Sequence, residues 1–504
     1  MAFSPAMMST ESESGTKKHH PFGGFEKTFN SSSGGIIMAN ELGLDKDGQQ
    51  KHLRPVDYFT DSLGQFSLNS LNQLTGQLTY FYTTKVGMAS ATVATVLLIS
   101  KIFDAFTDLF MGKIVDKTNT KAGKARPWLL RMVIPVFLAC VLLFTVPASM
   151  GAFRYVYALV TCVFASAIVY TAIAVPYYTM MSYKTKSSEE KGKMGTWRAA
   201  VGYAVGVACG IGLIPITVAL GDDQMAWIKF GIILGLLSAL CLFITYKFSR
   251  EIYHDEGAMA EKESKVSIIQ GIRMLLGNKY WIIITLVGVA MNIMYGVILV
   301  APMFYGSIIL DNPGFYSTVN TVNIFPSVIG FLTVGLWIKK FGLTGTAKWA
   351  SVIGVAGCII RMAAPMNSAI FLIGGSLMMY ATIPLISVLP AMTLNTSEQN
   401  MQNHGVRITG MTNASNSFVG KLGGGVGGSL IGWVLAAGGY DAFLAKGAGA
   451  ANLTGALKTS VFALNSYIPL AMFILIFLFL LRYDFEEKLP EILKSNATIE
   501  AEQQ

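Results

Sequence analysis

Asp104 and Asp108 lie one helical turn apart inside the apolar run SATVATVLLISKIFDAFTDLFMGKIV. A charged carboxylate near the centre of a bilayer costs at least ~2.5 to 3.5 kcal/mol, so such residues are rare and usually face a bound cation or a water-filled path. Residues at i and i+4 share one side of a helix. Two close acids there either bind a cation or hold one proton between them. Lys101, one turn before Asp104, is a structural partner for one acid and leaves the other uncompensated. A cation or proton site is therefore the expected chemistry.

A second constellation is polar without charge. Gln65, Asn69, Gln73 and Gln77 recur every four residues, with Asn72 beside them, and form a stripe on one helix face. Amides both donate and accept hydrogen bonds, which suits sugar hydroxyls. Asn and Gln also bind neighbouring helices inside membranes, but so many on one face favour the lining of a cavity. Lys421, in VGKLGGGVGG, is an ammonium deep in an apolar segment and must meet an anion or water there. It is either a partner of Asp104 or Asp108 or a competitor of a coupling ion for them.

These residues need membrane-spanning helices to position them. The chain has 504 residues, 53% hydrophobic and 13% charged, with a mean hydropathy of +0.51. A soluble chain carries about a quarter charged residues. Apolar runs of about 20 residues span ~30 Å of hydrocarbon. Twelve spans are expected: 62–84, 88–115, 127–148, 153–182, 197–220, 226–248, 280–306, 316–338, 346–366, 368–393, 408–437 and 460–482. Residues 1–56 are polar, lack an apolar signal-peptide core and read as a disordered cytoplasmic extension. Two six-helix halves, 57–248 and 280–482, are joined by a cytoplasmic loop, 249–279, and followed by a cytoplasmic tail, 483–504. Gly112 to Pro127 and Gly335 to Lys348 occupy equivalent places in the halves, as in a duplicated unit.

Lys117, Lys121, Lys124, Arg126, Lys184, Lys186, Lys191 and Lys193 mark one side of the membrane; Asp222, Asp223 and Asp311 mark the other. Both termini are then cytoplasmic, and the chain is a multi-pass protein of the cell membrane. This asymmetry and anionic lipid account for the net charge of +9 without a nucleic-acid partner. The five cysteines lie singly within spans, and the five histidines lie outside the spans without metal-ligand spacing. No nucleotide-binding loop, nucleophile elbow or HExxH motif is visible, which argues against an enzyme and against a cofactor.

The run KIFDAFTDLFMGKIVDKTNTKAGKARPW resembles the signature of the glycoside-pentoside-hexuronide:cation symporters of the major facilitator superfamily. GQFSLN with FYTTKVG, YTAIAVPYY, WRAAVGYAVG and NSFVGKLGGGVGG extend the resemblance from about Asp57 to Asp484. It implies that Asp104 and Asp108 hold the coupling ion, Na⁺ or H⁺, and the Thr107 and Thr171 hydroxyls are the further hard oxygens on offer. It implies substrate contacts at Arg198, Lys421, Asn416 and Ser417 and, where the best-known member has a tryptophan, at Tyr178; the amide stripe adds Gln65, Asn69 and Gln73. Arg198 reads equally well as an interfacial anchor. Gly112, Asp116, Lys124 and Arg126 fit the superfamily's latch between spans 2 and 3, where acid and base pair. The best-known member has acids at the positions of Gln65 and Ala174, and an asparagine at Thr107. Those losses leave the coupling ion open and favour an acidic sugar, because the bases remain.

The expected fold is all-α, twelve transmembrane helices in two halves. The expected function is ion-coupled symport of a glycoside or related sugar, an anionic one such as a hexuronide among them, by alternating access in a monomer surrounded by lipid. The alternative is a membrane sugar sensor that uses the same pocket without turnover.

Overall fold

The structure is a computed structural model that describes residues 43, 50–118, 120, 122–147, 151–185, 187–252, 268–406, 408–447 and 449–503. The chain divides into two units, Met1–Asn40 and Glu41–Gln504; the helices below belong to the second. Most of the expected N-terminal extension, and residues 253–267 of the central loop, lie outside the described residues.

The first half contains α1 (Pro55–Gly76), α2 (Ser90–Lys117), the short α3 (Arg126–Arg131), α4 (Val133–Leu142), α5 (Phe153–Lys184), α6 (Ser188–Ala219) and α7 (Gln224–Phe248). The second contains α8 (Lys279–Ile309), α9 (Phe315–Ala363), α10 (Ser368–His404), α11 (Thr409–Ala437) and α12 (Gly455–Leu481), followed by α13 (Phe485–Gln503). Eight helices among the described residues are long and apolar enough to cross a membrane. One of these, α9, is two spans in sequence, broken where Gly342 takes φ +71°. The turn between them is therefore much shorter than the loop expected from 335 to 348. Within the expected central loop, Ile268–Gly277 is helical. Its apolar residues at 268, 269, 272, 275 and 276 repeat at helical spacing; Leu275 is buried, while Ile269, Ile272 and Leu276 are exposed.

Side-chain caps set several helix starts. Asn278 Oδ1 accepts from the amides of Tyr280 and Trp281, Asp223 Oδ1 from Ala226, and Asn367 Oδ1 from Ala369 and Ile370. Each satisfies donors that a helix N-terminus leaves open.

The basic loops are fastened by carboxylates that return from the end of each half. Glu251, just after α7, accepts from the amides of Lys124 (2.8 Å), Ala125 (2.9 Å) and Arg126 (2.6 Å) at the start of α3. Glu486, just after α12, accepts from Leu343 and Thr344, both at 2.7 Å, at the start of the second part of α9. Each helix start follows a glycine of positive φ, Gly123 at +112° and Gly342 at +71°, and a Cβ on either would collide with the carboxylate. The same device in both halves is the structural counterpart of the internal repeat. Charge-assisted hydrogen bonds are worth ~1.5–3 kcal/mol each. We therefore expect Glu251→Ala to lower unfolding stability by at least ~2 kcal/mol, read by thermal unfolding in detergent; an unchanged midpoint would remove the clasp from the account.

Candidate functional site

α2 and α11 cross at close range because α11 presents glycines to it. A Cβ at Gly425 would lie 2.8 Å from Lys101 Cβ, and one at Gly432 would lie 2.7 Å from the Ser90 carbonyl oxygen. Small residues let membrane helices approach this closely. The approach brings Lys421 of α11 between the two acids of α2. Its Nζ lies 2.8 Å from Asp104 Oδ1 and 2.5 Å from Asp108 Oδ2. Lys101 Nζ lies 3.7 Å from Asp104 Oδ2.

Asp104 is only 2% exposed, whereas Asp108 is partly open. A π-helical turn, Phe164–Tyr170, precedes Thr171 in α5; such bulges re-aim the residues that follow. The Thr171 hydroxyl lies within hydrogen-bonding distance of Asp108 Oδ1 at 2.8 Å and of Asp104 Oδ1 at 3.3 Å. The Thr107 hydroxyl donates to the Asp104 carbonyl at 3.0 Å. Two carboxylates and a hydroxyl thus converge where hard oxygen ligands would hold a small cation, and the Lys421 ammonium lies against both acids.

Next to this cluster is a cavity of about 620 Å³ between the halves. All five amides of the α1 stripe line it, with Lys101, Arg198, Tyr203, Tyr316 and Asn320. The stripe divides its work. Gln73 Nε2 donates to the Gly206 carbonyl at 3.0 Å and Gln77 Nε2 to the Tyr316 hydroxyl at 2.8 Å, while Asn69 Nδ2 donates to Gln65 O within its own helix. Gly202, Gly206 and Gly210 of α6 make room for Asn69, Gln73 and Asn320 in turn. Tyr178 is 48% exposed and donates to Gln65 Oε1 at 3.4 Å.

Arg198 is 4% exposed and held by an acid. Nε donates to Asp61 Oδ2 at 2.6 Å, Nη2 donates to Asp61 Oδ1 and to the Tyr177 carbonyl, both at 3.1 Å, and the guanidinium lies 3.8 Å over the Tyr177 ring. Lys184 Nζ approaches Asp61 Oδ1 at 2.5 Å and Ser249 Oγ at 2.7 Å. Asp61 and Lys184 were not expected here. Asp61 continues the stripe one turn earlier, since 61, 65, 69, 73 and 77 share a spacing of four, and that was the available signal.

The side chains of Asn416, Ser417 and Asp116 lie outside the described residues, although all three positions are helical. Gly112 and Asp116 belong to the last turns of α2, not to a loop. Lys124 contributes its amide to Glu251. Arg126 Nε donates to the Tyr246 carbonyl at 3.0 Å, and its guanidinium lies 4.7 Å over the Tyr246 ring. Among the described residues, Glu251 grips this segment.

Away from the basic loops the halves are joined at the far ends of their helices. Thr84 Oγ1 and the Tyr440 hydroxyl are 2.8 Å apart, and both Asp441 oxygens accept from the Ser90 amide at the start of α2, at 3.0 and 3.2 Å. Tyr80, Phe304 and Tyr440 pack edge to face beside them.

Residues 71–487 match the family described as MFS/sugar transport protein. The inner membrane symporter YicJ of Escherichia coli (strain K12) is 26% identical over 72% of this chain and 78% of its own length. The isoprimeverose transporter of Lactiplantibacillus pentosus is 25% identical over 78% and 82%. A glucuronide carrier protein homolog of E. coli (strain K12) is 24% identical over 72% and 79%. Among solved structures, the inward-facing, unoccupied bacterial homolog of the human lysosomal transporter Spinster superposes with a TM-score of 0.59 at 13% identity, covering 88% of this chain and 99% of that one. A D-xylose-proton symporter superposes with a TM-score of 0.54 at 14% identity over 82% and 96%. These two likenesses concern the fold.

Proposed function

The chain belongs to the MFS/sugar transport family, and from that premise we propose that it couples uptake of an acidic sugar to entry of Na⁺ or H⁺ across the cell membrane. The observation that carries this reading is the contact of Lys421 with Asp104 and Asp108 across the two halves, beside an amide-lined cavity. A coupling ion that takes the place of the Lys421 ammonium at the acids loosens a bond between the halves. Ion binding and rocking then share one element, as alternating access about a midplane site requires. Thr171 completes the ion site, and Gln65, Asn69, Gln73 and Tyr178 meet the sugar hydroxyls. Asn416 and Ser417, a turn before Lys421, are further substrate contacts. The basic face is cytoplasmic, so the far-face contacts close the outer end.

The acidic substrate follows from the charge tally. Asp61, Asp104 and Asp108 are three acids against four bases, Lys101, Lys184, Arg198 and Lys421. The incoming ion adds another positive charge, and an uncompensated buried cation is costly. A uronide carboxylate supplies the missing anion. Ion-dependent uptake of a labelled uronide in proteoliposomes should be inhibited at least ten-fold more effectively by uronides than by their neutral glycoside analogues. Equal inhibition would remove the acidic-substrate reading and leave a neutral sugar in its place.

A further inference from the structure

We infer that Asp61 is a positioning residue for substrate: it holds Arg198 so that one guanidinium nitrogen, Nη1, is kept for the anionic group of the sugar. This rests on the acidic-sugar reading above. Three observations carry it. Asp61 is 1% exposed and grips Arg198 through both carboxylate oxygens, at 2.6 and 3.1 Å. That bidentate grip fixes the plane of a guanidinium as well as its place. The ring of Tyr177 supports the same plane from one face at 3.8 Å, and its carbonyl takes a second bond from Nη2.

What remains is Nη1, which is buried and has no hydrogen-bond partner. A buried donor without a partner costs ~1–3 kcal/mol, so leaving one on a residue that lines a polar cavity suits a ligand whose binding draws it into a bond. Arg198 lines that cavity together with Gln65 and Asn69. Lys184 explains why Asp61 does not cancel the charge of Arg198. It shares Oδ1 with Arg198 Nη2, so two bases face one acid and one positive charge is left over. The cluster also joins four helices, α1 through Asp61, α5 through Tyr177 and Lys184, α6 through Arg198, and Ser249 just after α7. Arg198 is thereby tied to the rigid part of the first half.

The test compares Asp61→Asn with the double variant Asp61→Asn/Lys184→Gln in full-length protein reconstituted in proteoliposomes. Asp61→Asn leaves two buried bases without an acid and can fail to fold. The double variant restores the wild-type net charge of the cluster and keeps the amide in place of the carboxylate. If Asp61 orients Arg198, KM for a labelled uronide rises at least ten-fold in the double variant. The ion concentration for half-maximal uptake stays as in wild type, because Asp104 and Asp108 are untouched. A double variant with wild-type KM would show that only net charge matters and would overturn the inference, as would a parallel shift in the ion dependence. If wild type takes up neutral sugars and no uronide, the acidic-substrate reading fails instead, and KM for the neutral sugar then tests Asp61 separately. A ten-fold rise would keep it as a positioning residue, and no rise would end that role too.

Discussion

Asp104→Asn and Asp108→Asn should each abolish uphill accumulation of substrate under a Na⁺ or H⁺ gradient, with at least a hundred-fold loss of the concentration ratio, yet the two should fail differently. Asp108 is the partly open member of the pair, and its removal leaves the Asp104–Lys421 bond intact. Asp108→Asn should therefore keep a thermal unfolding midpoint close to that of wild type while losing ion-driven accumulation. Asp104 is buried and is met by Lys421, Lys101 and Thr171. Removing it leaves Lys421 with Asp108 alone and Lys101 without its carboxylate, a cost below the ~3–5 kcal/mol of a fully stranded buried charge. Asp104→Asn should accordingly lower the thermal unfolding midpoint as well. If both variants accumulate substrate as wild type does, the acid pair is not the coupling site.

The second large effect is expected at Gly432. A Cβ there meets the Ser90 carbonyl oxygen at 2.7 Å and Ala94 Cβ at 2.8 Å. These atoms belong to the other half, so a larger side chain obstructs only the closed arrangement of the far ends. Gly432→Leu should leave each half folded and shift the population toward far-face-open molecules. Transport should fall at least ten-fold while the unfolding midpoint changes little. A cysteine introduced at Thr84, whose hydroxyl bonds Tyr440 across the closed face, should become reactive to a membrane-impermeant thiol reagent. Unchanged reactivity together with normal transport would mean that the α2–α11 crossing does not open there.

Much of this arrangement is legible in the sequence, and the missing parts have one physical cause. Asp104, Asp108 and Lys421 stand out because a charge inside an apolar run has few innocent explanations. The amide stripe stands out because its period of four matches one helix face. That Lys421 reaches both acids depends on the spacing of glycines in α11 against α2, which no local pattern encodes. Asp61 sits four residues after Asp57 and reads as the polar margin of a span, while Lys184 reads as one more base of a cytoplasmic loop. Glu251 and Glu486 look like ordinary loop acids until their amide partners, more than a hundred residues away, are in place. Pairing is a tertiary property, and a single chain shows only the candidates.

The clasps formed by Glu251 and Glu486 are each internal to one half. On the proposed alternating-access reading neither has to be undone for the halves to tilt, and this end of each six-helix unit travels as a finished piece. The work of switching then concentrates in a handful of bonds between pieces: Gln77 with Tyr316, Thr84 with Tyr440, Ser90 with Asp441, and Lys421 with its two acids. Such a molecule resembles two pre-assembled jaws on a common pivot, and its cycling speed is open to adjustment by single contacts without disturbing the build of either jaw.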